Sequence, residues 1–67
     1  MRWFLSIYLQ DREGVTYKRI GEYDSLTKAE IERDRLLREG YHDRGKNEHH
    51  FYPSHSIVKT TIGRRDI

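Results

Sequence analysis

Strict alternation over residues 2–10 constrains this chain more than any other feature. Trp3, Leu5, Ile7 and Leu9 fall on one side of an extended segment, with Phe4, Ser6, Tyr8 and Gln10 on the other. That is the period of a β-strand. Asp11-Arg12-Glu13-Gly14 follows, a type I turn sequence whose glycine is free to take positive φ. β-Formers resume from Val15 to Tyr23, so residues 1–23 read as a hairpin.

The next segment changes period. Thr27 and Glu30 have the spacing of a capping box, and Leu26 with Ile31 that of a hydrophobic staple. A helix is therefore predicted over 27–39, stopped by Gly40. Arg33 falls within its apolar stripe (Ala29, Leu36, Leu37), where its stem can pack on the sheet while its charge reaches water. Asp34/Arg38 and Arg35/Glu39 are expected as four-apart ion pairs on the outer side. Residues 41–54 read as a loop, and Pro53 blocks strand pairing at its own nitrogen. A third strand is expected over 55–62, followed by a frayed basic tail over 63–67. The expectation is one α+β domain, ββαβ, with a three-stranded, mainly antiparallel sheet and one helix on one face.

One helix covers one side of a sheet. Phe4, Tyr8 and Ile57 are expected on the other side, with Ile20 joining them if the hairpin register allows. A bare apolar side of this kind marks an interaction surface. Sixty-seven residues without cysteine cannot be stapled by disulfides. Such a chain buries only about 60% of its unfolded surface. Self-association through Phe4, Tyr8 and Ile57 is therefore expected. No apolar run is long enough to span a membrane and no signal-peptide pattern is present, so a cytoplasmic location is expected.

The net charge is +2. Residues 1–40 balance eight cations with eight carboxylates, so the whole excess lies in 41–67. All four histidines lie there too, with Tyr41, Phe51 and Tyr52. Phosphates need cationic or amide donors and bases need flat surfaces. Arg44, Lys46, His49, His50, Phe51, Tyr52 and His55 supply both, and are the expected ligand-binding residues for an anionic partner. Phe51 and Tyr52, next to Pro53, also suit a structural role, clamping the loop over the helix end. No established metal spacing is present, and adjacent His49 and His50 on extended backbone point opposite ways, so no metal and no cofactor is expected. Ser54, His55, Ser56 and Asp43 hold the residue types of base-assisted hydrolysis but no nucleophile elbow, so no catalytic residue is assigned.

Two resemblances extend this reading. Glu39-Gly40-Tyr41 followed by Arg44-Gly45-Lys46-Asn47-Glu48-His49-His50-Phe51 resembles the helix, turn and Gly-Ser-His-His-x-Phe segment of HicA-type toxin ribonucleases. Asn47-Glu48 stands where that segment has Gly-Ser, the N-terminal hairpin is additional, and the helix those toxins carry after the sheet has no counterpart. The hairpin, the charged helix and the closing Tyr52-Pro53-x-His55-x-Ile57 strand are similar in style to small single-domain proteins of bacteriophages and mobile elements. That likeness implies stoichiometric binding of a nucleotide-like ligand, or of an acidic surface on a host or defence protein. The leading expectation is thus a non-enzymatic binding or inhibitor protein acting through 41–55. Sequence-independent nucleic-acid binding is the alternative, and a small ribonuclease the second.

Overall fold

A computed structural model describes residues 1–45 and 49–66. Five strands and one long helix follow in the order β1 (Arg2–Asp11), β2 (Gly14–Tyr23), α1 (Leu26–Glu39), β3 (Tyr41–Arg44), β4 (His49–Tyr52) and β5 (Ile57–Arg65). A 3-10 turn over Ser54–Ser56 precedes β5. The first strand is the centre of a three-stranded antiparallel sheet ordered β2-β1-β5, and β3 pairs with β4 in a separate hairpin.

The alternation of β1 sets the layers. Leu5, Ile7 and Leu9 are fully buried and pack with Leu36 of α1 and Ile57 of β5. Gly14, at φ 126°, closes the turn between β1 and β2, where the Asp11 carboxylate accepts the Glu13 N–H. The α+β class and the helix-covered three-stranded sheet are as the sequence predicts.

Several boundaries differ, each for a local reason. The helix begins one residue earlier, because Ser25 rather than Thr27 is its N-cap and accepts the Lys28 N–H at 3.2 Å. Leu26 and Ile31, the expected staple, are both exposed. Arg35 pairs with Glu32 and Arg38 with Glu39, instead of the four-apart partners. Residues 41–44 and 49–52, expected as loop, form the second hairpin. The expected tail is shorter, since β5 runs through Arg65.

Two register shifts redirect side chains. Between Tyr8 and Leu9 the partner strand skips Val58, so Ile57 sits opposite Leu9 in the core. Ile57 is 9% exposed and is not part of the outer side, where alternation alone had placed it. A second shift between Leu5 and Ser6 skips Ile20, which packs against the core as well.

Gly40 joins α1 to the second hairpin. Its backbone has φ 91° and ψ −179°, a region essentially confined to glycine, and its N–H donates to the Leu36 carbonyl at 2.8 Å. A Cβ there would stand 2.6 Å from the Tyr52 carbonyl oxygen and 2.8 Å from the Phe51 ring.

Candidate functional site

The second hairpin divides the expected ligand-binding set between two sides. Tyr41, Asp43, His50 and Tyr52 share the inward side, because Tyr41 is opposite Tyr52 and Asp43 opposite His50. Tyr41 and Tyr52 pack against the core, and the exposed His50 ring meets Tyr52 at a tilt of 54° with centroids 4.5 Å apart. Asp43 pairs with Lys18 of β2 at 3.0 Å, tying the hairpin to the sheet. That hydrogen bond, and then the attraction of the carboxylate, raise the Lys18 pKa above its ordinary value. Burial raises the Tyr41 hydroxyl in the same direction.

His42, Arg44, His49 and Phe51 occupy the outward side. The Phe51 ring lies against Gly40, so this aromatic clamps the hairpin to the end of α1. His55 is exposed in the 3-10 turn, apart from the other histidines in the hairpin. Lys46 lies outside the described residues. Asp43, on β3, is held by Lys18, and Ser54–Ser56 form the 3-10 turn before β5. Among the described residues of this set, Arg44, His49 and Phe51 therefore lie on one side of the hairpin, His50 and Tyr52 on the other, and His55 in the turn beyond it. An open groove of about 490 Å³ does lie between the first turn and the hairpin, and among the described residues Asp11 and Glu13 line it together with Arg12 and His50. That charge balance disfavours an anion there.

The outer side of the sheet is different. Strand register places Arg2, Phe4, Ser6 and Tyr8 of β1 beside Tyr17, Arg19 and Glu22 of β2 and Lys59, Thr61, Gly63 and Arg65 of β5. Among the described residues, Leu36 of α1 and Tyr41 and Tyr52 of the second hairpin pack on the opposite, inner side with Leu5, Ile7 and Leu9. Tyr8 and Tyr17 meet edge to face with centroids 5.3 Å apart. The Arg19 guanidinium lies 4.9 Å and that of Arg65 5.9 Å from the Phe4 ring centre, while the Lys59 ammonium lies 5.7 Å from that of Tyr8. Glu22 is the carboxylate among these residues, paired with Arg2, Arg19 and Arg65. Four cations to one carboxylate make this side an electropositive platform set with three rings.

Phe4 and Tyr8 were expected on this side from alternation. Tyr17 and Arg19 were not, because the hairpin register was left open, and Arg65 was not, because it was expected in the tail; Lys59 follows from the alternation of β5. The signal available was the odd-numbered run Tyr17, Arg19 on β2, read with Asp11 and Gly14 as the turn pair. Among the described residues, no helix is long and apolar enough to cross a membrane. No protein-family model, curated protein or solved structure matches the chain.

Proposed function

We propose that the chain is a non-enzymatic binding protein for single-stranded nucleic acid, engaged on the outer side of the sheet. The observation that carries this reading is the interleaving of Phe4, Tyr8 and Tyr17 with Arg2, Arg19, Lys59 and Arg65. Cations track phosphates while rings accept bases, which is the minimum a sequence-tolerant strand binder needs. Phe4 and Tyr8 are four residues apart on β1, roughly 13 Å at strand rise, so they offer separate stacking positions.

In the free chain cations lie over Phe4 and Tyr8. A cation over an exposed ring contributes about 0.5–1 kcal/mol. A base stacked on an aromatic side chain contributes about 1–3 kcal/mol. Phosphate can therefore draw the flexible cations aside and leave the rings to bases with a net gain. Self-association through the same side is disfavoured by its charge, since a second copy would set cations against cations. An acidic protein surface would match the charge but give the rings no planar partner.

Fluorescence anisotropy of a labelled single-stranded oligonucleotide, at two salt concentrations, tests the reading. With up to four phosphates neutralised, the slope of log affinity on log salt should approach about −3, and Arg19→Gln should make it shallower by about 0.7. No binding at low salt would overturn the proposal, as would binding unaffected by Tyr17→Ala and Arg19→Gln together.

A further inference from the structure

The second hairpin brings together two imidazoles that the proposed nucleic-acid surface does not use. His42 and His49 lie diagonally on its outward side, His42 opposite Phe51 and His49 opposite Arg44. Nδ1 of His42 is 3.1 Å from Nε2 of His49, and the ring planes differ by 6°. A tetrahedral divalent ion with bonds of about 2.0–2.1 Å holds two nitrogens roughly 3.3 Å apart, and a square-planar ion roughly 2.9 Å. The observed separation falls between these values, so chelation leaves the spacing nearly unchanged and requires each ring to turn by roughly 35–45°, from facing the other nitrogen to facing a shared ion. Both residues are exposed, which leaves an ion its entry path and room for water. Phe51 packs beside His42, centroids 4.6 Å apart, and is itself seated on Gly40. The pair is thus mounted on a clamped hairpin and does not depend on a free terminus.

We propose that His42 Nδ1 and His49 Nε2 form a bidentate site for a borderline divalent transition-metal ion (zinc, nickel or copper), completed by water. In the free chain one of these nitrogens donates its N–H to the other. On binding, that proton passes through solvent to the outer nitrogen of the same ring, so two neutral imidazoles take the ion without net proton release. His50 faces inward and His55 lies in the 3-10 turn, so neither joins the pair. No third histidine or carboxylate completes a cluster among the described residues. Arg44, across from His49, is the cation that opposes the ion on this side.

Calorimetric titration of the tag-free chain with nickel or zinc chloride, in a non-coordinating buffer, tests the site. One ion per chain is expected, weakened on the order of tenfold or more by His42→Gln and by His49→Gln, with the double variant losing less than the two single losses summed, the coupling that chelation produces. His50→Gln and His55→Gln should bind as the parent does, and Arg44→Gln more tightly. Circular dichroism confirms folding, which exposed substitutions should leave intact. Absence of binding, independent effects of the two substitutions, or loss with His50→Gln or His55→Gln would each overturn the proposal.

Discussion

The ring of Phe4 lies across Gly63 of the neighbouring strand, filling the volume a side chain there would take. A Cβ on Gly63 would stand 2.3 Å from the Phe4 Cζ. The glycine thus lets an aromatic lie flat on the sheet between the guanidinium groups of Arg19 and Arg65.

Gly63→Ala should lift that ring. Phe4 is only half buried, so it can swing toward solvent and the fold should survive at a cost of about 1–3 kcal/mol in urea denaturation. Oligonucleotide affinity should fall as far as it does in Phe4→Ala. Full affinity in Gly63→Ala would remove Phe4 from the contact surface.

A second relation on the same side joins Ser6 and Tyr17, whose hydroxyls are 2.7 Å apart. Ser6 is 1% exposed, so water cannot readily replace a lost partner. Tyr17→Phe should destabilise by about 1–3 kcal/mol through the unpaired serine hydroxyl. Ser6→Ala with Tyr17→Phe should be less costly than the two changes summed, because neither leaves the other orphaned. A urea-denaturation cycle with zero coupling would show that the hydrogen bond contributes nothing.

Alkaline pH should loosen the second hairpin. Lys18 is raised by its hydrogen bond to Asp43, then by that carboxylate's charge, and Tyr41 is raised by burial. For both, the folded pKa lies above the unfolded one, so the folded state holds its proton more tightly. That stabilisation is complete below the unfolded values, about 10, and is lost as pH rises through them toward the folded values. The midpoint of urea unfolding should therefore be level near neutrality and fall above about pH 10. Asp43→Asn should remove the lysine's share of the fall and Tyr41→Phe the tyrosine's. An unchanged alkaline limb in both variants would locate the sensitivity elsewhere, with Tyr23, also raised by burial, the next residue to replace.

The sheet and helix were legible because β1 alternates cleanly and α1 changes period at Ser25–Leu26. The second hairpin was hidden because its strands are four residues long and place tyrosines inward beside a paired aspartate, with no apolar alternation to mark them. Ile57 and Ile20 were misplaced for a different reason. A skipped residue such as Val58 is decided by what the partner strand offers, which no one-dimensional period contains. The cationic platform was hidden because its residues come from three strands, and no single strand's period shows how they pair. Histidines drew attention to 41–55, yet it is pairing across the hairpin that sorts them.

The central place of β1 carries a consequence for how the chain acquires its fold during synthesis. Of the five strands, β1 is made first and forms the middle of its sheet, and one of its two flanks is completed by β5, made last. The β1–β2 hairpin can close early, since its pairing is local. Leu5, Ile7 and Leu9 nevertheless stay partly uncovered until Ile57–Arg65 has emerged and returned across the sequence to pair. The nascent chain must therefore carry β1 with an open hydrogen-bonding edge from the making of that strand until β5 is made, an interval in which such an edge is exposed to wrong partners.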